Sequence, residues 1–275
     1  MTNEIYPCLW FDMNAKEAAE FYGSVFSNSK ITVNTPMVVM FELNGKKIMG
    51  LNGGPMFKMN PSISMFVHCT SADECTRIWN GLSGGATVLM QLDKYPWSEQ
   101  YGWLQDKFGF TWQIMKGETD NMLPSLLFTG SQLGKAQEAM DFYTAVFENS
   151  AVSKKNYYPD DTPFGGKISY AEFDLNQYPL VAMDGPGEHK FTFSEGVSFV
   201  VNCGSQKEID HYWNKFTADG GEESMCGWCK DKFGVFWQIV PANIGQLIGN
   251  PNNGQRAMQA LLKMKKLDIA ALENA

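Results

Sequence analysis

The sequence predicts an α+β fold in two tandem copies, and three observations carry that prediction. Residues 15–29, AKEAAEFYGSVFSNS, return at 136–150 as AQEAMDFYTAVFENS, with nine of fifteen positions identical. Residues 102–114, GWLQDKFGFTWQI, return at 227–239 as GWCKDKFGVFWQI, with nine of thirteen identical, so the offset is 121 residues at one anchor and 125 at the other. Between the anchors, strand-period and helix-period patterns follow the order βαβββ–βαβββ in each copy, with few helices and many hairpins. At 275 residues the chain has room for two domains of ordinary size. The copies are read as residues 1–116 and 122–241, separated by the polar stretch KGETDN (116–121) and followed by a helical tail, 242–275.

Each element of the first copy has a local reason. The apolar run Tyr6–Phe11 sits beside Pro7, which suits a strand start or an edge. Asn14 is placed to cap a helix with Glu17 as its capping-box partner, and Ala18, Phe21, Tyr22, Val25 and Phe26 supply the apolar stripe. The runs Met37–Leu43 and Lys46–Leu51 flank Asn44-Gly45, a two-residue hairpin signal. The pattern then restarts with a strand at 62–69, a helix from Ser71 to Leu82, and strands near 86–92, 99–105 and 110–115. The second copy repeats it from Leu123, with a longer insertion (154–167) between its second and third strands. In the tail, 254–265 reads as an amphipathic helix and Asp268 as the cap of another through Ile269–Leu272. Met258, Leu261, Leu262, Ile269 and Leu272 require that tail to pack on a domain or across a partner.

Composition excludes several function classes. With 22 Lys plus Arg against 30 Asp plus Glu, the net charge is −8, and no basic cluster favours nucleic acid. No apolar run approaches the roughly 20 residues of a membrane span. The opening MTNEIYPCLW has neither the basic nor the long apolar region of a signal peptide. A cytoplasmic protein with six reduced cysteines is the expectation.

YPCLWFDMNAKEAAEFY, the LNGG run, and GWLQDKFGFTWQI or GWCKDKFGVFWQIVP resemble the PhnB-like branch of the vicinal oxygen chelate superfamily. That superfamily includes glyoxalase I, bleomycin-resistance proteins and extradiol dioxygenases. The resemblance covers almost the whole chain, once per copy, and implies tandem domains, each of two βαβββ modules forming a cupped mixed sheet. Members of the branch are often named 3-demethylubiquinone-9 3-methyltransferase. Methyl transfer is not expected here, because Gly53-Gly54 and Gly84-Gly85 read as turns, and neither forms the G-x-G-x-x-G of a nucleotide loop.

The superfamily's chemistry also implies a divalent metal held by His and Glu from four strands of the cup. At the corresponding places the alignment puts Tyr6 and Leu123, Gly50 and Ala182, Ser62 and Gly196, and Gln113 and Gln238. Without imidazole or carboxylate there, a metal is disfavoured and no cofactor is expected. His68, His189 and His211 share no ligand spacing, and Cys226-Gly-Trp-Cys229 has no second thiol pair with which to hold zinc.

What remains is a cup with aromatic walls and few polar groups, the composition of a small-molecule pocket. The candidate ligand-binding residues are Gln113, Gln238, Trp10, Trp103, Trp228, Glu42, Glu172 and Tyr170. Strand alternation puts the Trp and Gln of each WQI on opposite faces, and the resemblance, in which the family's Glu faces the cup, implies that Gln113 and Gln238 face it and Trp112 and Trp237 face the helices. The function expected is binding of a small organic molecule in a metal-free cup. The alternatives are a metal-dependent lyase, isomerase or dioxygenase of the glyoxalase type, and a purely architectural role. The two copies are expected to pair within the chain, with a homodimer as the open alternative.

Overall fold

The computed structural model describes residues 4–275, so the first three residues of the expected first copy lie outside it. The first copy runs β1 (Ile5–Phe11), α1 (Ala15–Val25), β2 (Ser29–Asn34), β3 (Val38–Leu43) and β4 (Lys46–Asn52). It continues with β5 (Ile63–Cys69), α2 (Ala72–Leu82), β6 (Thr87–Tyr95), β7 (Ser98–Gln105) and β8 (Thr111–Lys116). The second copy runs β9 (Asn121–Phe128), α3 (Ala136–Val146), β10 (Ala151–Tyr157), β11 (Ile168–Leu175) and β12 (Tyr178–Asp184). It closes with β13 (Val197–Cys203), α4 (Gln206–Phe216), β14 (Glu222–Glu223), β15 (Trp228–Lys230) and β16 (Phe236–Pro241). Three short helices form the tail: α5 (Ile244–Ile248), α6 (Gly254–Leu261) and α7 (Ile269–Glu273).

The strands make two eight-stranded mixed sheets, and each sheet takes one βαβββ module from each copy. The first is ordered β14-β15-β16-β13-β1-β4-β3-β2, the second β10-β11-β12-β9-β5-β8-β7-β6. Connection length explains the exchange. Only residues 117–120 separate β8 from β9, so β9 must land close by, and it pairs antiparallel with β5 (Ser64 opposite Ser125, Phe66 opposite Leu123). Residues 53–62 and 185–196 are long enough to carry the chain to the other sheet within each copy. There β1 pairs antiparallel with β13, with Cys8 opposite Ser198. The two copies are therefore joined by main-chain ladders at both sheet centres.

One core lies between the sheets and holds α1 to α4. Tyr22, Phe26, Trp112, Tyr143, Phe147, Trp213 and Trp237 are all buried in it. The repeated DKFG segments are its corner pieces. Asp231 accepts bonds from the Phe233 and Val235 amides (2.9 and 3.0 Å), Trp237 Nε1 (2.8 Å) and the Tyr143 hydroxyl (2.7 Å). Asp106 likewise accepts from the Phe108 and Phe110 amides and from Trp112 Nε1 (2.8 Å). Burial pushes both carboxyls up, Asp231 to about 6, while these donors pull the other way.

One local expectation changes. The Asn14 side chain makes no cap bond; Asn52, at the end of β4, instead accepts the Ala15 amide at 3.0 Å. In the second copy Asp184 does the same work, accepting from Gly134 (2.7 Å) and Ala136 (3.3 Å). Asn14 has φ −118° and ψ 22°, outside the extended backbone from which a cap side chain usually reaches back over the first turn. Asp268 does cap α7, accepting the Ala271 amide at 2.9 Å.

Candidate functional site

Strand alternation gives each sheet one face toward the helix core and one toward a cup. In the first cup, Cys8 of β1, Met49 of β4, Ser198 of β13 and Gln238 of β16 come together: Cys8 is opposite both Ser198 and Met49, and Gln238 Nε2 donates to Ser198 Oγ at 3.0 Å. The second cup repeats the arrangement with Ser125, Val181, Ser64 and Gln113. Ser125 is opposite both Ser64 and Val181, and Gln113 Nε2 donates to Ser64 Oγ at 2.6 Å.

These positions correct the alignment made from sequence. Gly50 and Ala182 turn toward the helix core, where a Cβ on Gly50 would meet Ala15 and Phe11 and where Ala182 is fully buried. Their neighbours Met49 and Val181 take the cup face. Tyr6 and Leu123 lie two residues before Cys8 and Ser125, and Ser62 and Gly196 precede strands whose cup-facing residues are Ser64 and Ser198. A period-2 pattern tolerates a slip of two without losing its apolar face, which hid the offsets at Tyr6, Leu123, Ser62 and Gly196, whereas Gly50 and Ala182 are off by one and so fall on the opposite face.

The eight candidate residues divide between the cups. Gln113, Trp103, Tyr170 and Glu172 belong to the second, and Gln238, Trp10 and Trp228 to the first. Glu42 is half-buried in β3 and pairs with Lys30 at 3.1 Å, making it a rim residue. Trp10 and Trp228 meet edge to face at 6.1 Å, and Trp10 Nε1 donates to the Gly54 carbonyl at 2.7 Å.

The second cup is walled by Phe66, Tyr101, Tyr170, Trp103 and Leu123, with Met90, Met115 and Met183 around them. The Tyr101 hydroxyl donates to Gln113 Oε1 at 2.7 Å, fixing the amide so that its Nε2 faces Ser64. Ser125 is wholly buried and its Oγ has no hydrogen-bond partner; Trp103 Nε1 is also buried and unpartnered. At the rim the Tyr170 hydroxyl donates to Glu172 at 2.7 Å and stands 3.5 Å from His68 Nε2. Burial lowers the pKa of His68, with Glu172 opposing and Lys154 assisting. His68 comes from the first copy and Tyr170 and Glu172 from the second, so the cluster exists only because the modules are exchanged.

The first cup is covered. Leu267 and Leu272 of the tail are fully buried in one cluster with Tyr6, Cys8, Met40, Val200 and Val240, and Ile244, Leu247, Leu261 and Met264 pack against it. Beneath them, burial pushes the Cys8 thiol up to about 12.

Neither donor set fits a divalent metal. Amide, hydroxyl, thioether and aliphatic groups stand where imidazole and carboxylate would be needed, and the one thiol is held protonated. Among the described residues no group of three or more His, Cys, Asp or Glu could share an ion. Cys229 is buried in the helix core and Cys226 is half-exposed, both with pKa raised by burial, the opposite of an activated redox pair. A depression of about 360 Å³ beside Asp93, Glu99 and Lys116 lies on the edge hairpin β6–β7, away from the Gln–Ser pairs.

The sequence pattern of the family described as 3-demethylubiquinone-9 3-methyltransferase matches residues 3–115 and again 120–240. The chain belongs to that family. A similar solved structure is the PhnB protein of Bacillus cereus, described under the same methyltransferase name. It is 31% identical, covered over 98% of its own length and aligned to 41% of this chain, with a TM-score of 0.39. A Staphylococcus aureus protein is 30% identical, with 41% of this chain and 94% of that one covered and a TM-score of 0.19. Glyoxalase I from Zea mays is 10% identical but aligns over 88% of this chain and 94% of its own at a TM-score of 0.57, which places the two-copy architecture in the vicinal oxygen chelate fold. No curated protein matches the chain. Among the described residues no helix is long and apolar enough to cross a membrane.

Proposed function

We propose that the protein binds a small organic molecule, without a metal, in the second cup. The observation that carries this reading is the buried, unpartnered Ser125 hydroxyl beside the Gln113–Ser64 pair. An orphaned buried hydroxyl costs about 1–3 kcal/mol, and a ligand oxygen or nitrogen would remove that cost. Trp103 Nε1 supplies a second free donor within the same aromatic wall. A flat apolar body carrying a carbonyl or phenolic oxygen suits this surface, because the rings offer faces and edges while the orphaned groups offer hydrogen bonds.

A thermal-shift screen tests the reading. A ligand at 100 times its dissociation constant adds about 2.7 kcal/mol of stability. Matched probes such as 2-acetylnaphthalene and 2-ethylnaphthalene differ mainly in the acceptor oxygen. The ketone is expected to bind more tightly, and Ser125→Ala to erase the difference. Failure of every compound class to shift the transition would overturn the reading. Stoichiometric Mn, Fe, Ni or Zn in protein purified without chelator would overturn its metal-free part.

Methyl transfer, named in the family description, is not proposed. Gly54 and Gly85 have φ of +82° and +76°, and a Cβ on Gly53 would lie 2.0 Å from the Trp10 ring, so three of the four glycines are accounted for by turn geometry and packing. Acid–base chemistry on the bound molecule is a second reading, favoured by the Tyr170–Glu172 bond beside His68. Chemical change of a bound probe that disappears in Tyr170→Phe would support it.

A further inference from the structure

The first cup poses a separate question: why a floor covered by leucines keeps polar groups. Gln238 and Ser198 form the same amide–hydroxyl pair there as Gln113 and Ser64 form in the second cup. A floor built only to receive Leu267 and Leu272 would be better apolar, since burying polar groups under aliphatic side chains gains nothing. The hold on the cover is also slight. The tail helices span five, eight and five residues, too short to persist unsupported. At its start the Ala242 amide donates to the Cys203 carbonyl at 2.8 Å, and the other polar anchors to the sheet and α4 lie in its last segment. The Cys226 and Gly227 amides donate to the Met264 and Lys265 carbonyls (2.7 and 2.8 Å), and Gln206 bridges the Leu267 carbonyl and the Ile269 amide at 3.0 Å each. Lys265–Glu223 (3.3 Å) and Lys266–Asp210 (2.7 Å) are solvent-exposed ion pairs of the kind that add little.

We infer that the first cup is a second ligand site held shut by the chain's own tail, which acts as an intramolecular ligand and lifts by local opening. Its external ligand is of the same chemical class as that of the second cup, an uncharged organic molecule presenting a hydrogen-bonding oxygen to the Gln238–Ser198 pair. That part rests on the function proposed above; the lifting of the tail does not. The full chain thus binds one such molecule, and a chain with its tail released binds two.

Cys8 reports the opening directly. It lies under the tail on the cup face, whereas Cys69 and Cys203 lie on the helix face of the sheets and serve as internal gauges of unfolding. The experiment is alkylation of the full chain with iodoacetamide, mapped by peptide mass spectrometry, in urea below the unfolding transition. Cys8 is expected to react at least tenfold faster than Cys69 and Cys203, at a rate nearly independent of urea, because local opening exposes little surface. Leu272→Asp is expected to raise the Cys8 rate a further tenfold and leave the two gauges unchanged. If Cys8 follows Cys69 and Cys203 in both proteins, the tail is a fixed part of the core and the inference fails. A second arm counts bound 6-propionyl-2-(dimethylamino)naphthalene, an uncharged fluorescent ketone. Leu272→Asp should gain one dye per chain over the parent, and a freed Cys8 with no added dye would overturn the second site. Absence of dye from the parent chain would count against the second cup alone, leaving the Cys8 result to decide the tail.

Discussion

Ser125 stands directly across from Ser64 on neighbouring strands, yet only Ser64 has a hydrogen-bonding partner. The pair therefore predicts a trade between stability and binding. Ser125→Ala removes a buried hydroxyl that nothing satisfies, so the unliganded chain should gain about 1 kcal/mol by urea denaturation. The same substitution should lose the extra affinity for a ketone over its hydrocarbon analogue. Ser64→Ala, by contrast, strands the Gln113 amide and should cost about 1–3 kcal/mol.

The fold was largely legible in the sequence because its signals are local. The Asn44-Gly45 turn, with φ of +47° and +76°, and the Asp268 cap each depend on a few neighbouring residues. Alternation put Trp112 and Gln113 on opposite faces, and the family resemblance was needed to say that Trp112 takes the core and Gln113 the cup. Pairing of modules across the copies was not legible in the repeats, which look the same whether β1 joins β5 or β13. Its clue was the four-residue connection 117–120, read only as a boundary. Ser125 was missed because Pro124 and three following apolar residues, Leu126, Leu127 and Phe128, make it resemble an interruption in an apolar run. The His68–Tyr170 approach joins residues 102 apart in sequence, and no spacing rule finds such a pair.

The buried Asp231 gives stability a distinctive pH dependence. Its carboxyl is raised from 3.8 to about 6 by burial, so between those values the folded chain holds a proton that the unfolded chain has released. Stability from this group is complete below about pH 4 and declines as pH rises through 6, by about 1.4 kcal/mol per unit and about 3 kcal/mol in all. Asp106 is raised for the same reason and acts in the same direction. Urea titrations at pH 4, 5, 6 and 7 on the parent and Asp231→Asn should show the parent's advantage shrinking steadily across that window. A constant difference would mean that the donors around Asp231 outweigh its burial.

The hairpin between β11 and β12 carries local strain. Asn176 and Gln177 both have positive φ, +49° and +67°, at the positions where the first copy has Asn44 and Gly45. A non-glycine residue in the left-handed region is held there at a cost of about 1–2 kcal/mol. Gln177→Gly restores the first copy's turn and should stabilise the chain by about 1 kcal/mol, less the flexibility that glycine adds to the unfolded state. Gly45→Gln should destabilise by a similar amount, and differential scanning calorimetry of the two variants should show shifts of opposite sign.

Cutting the chain within 117–120 tests how far the copies depend on each other. In the intact chain β9 lies between β5 and β12, and β13 between β1 and β16, so an isolated second half would expose one bare edge on each module. Both edges are central strands with buried apolar faces, unlike the natural sheet edges β2 and β10, whose side chains are mostly exposed. Two second halves can satisfy both edges at once, with β9 of one pairing with β13 of the other and the reverse across a twofold axis. Light scattering of the isolated second half should therefore give a dimer, and mixing it with the first half should yield a one-to-one complex. A folded, monomeric second half would require β9 to pair with β13 inside one copy, and the exchange of modules would then be a choice the linker imposes on sheets able to close either way.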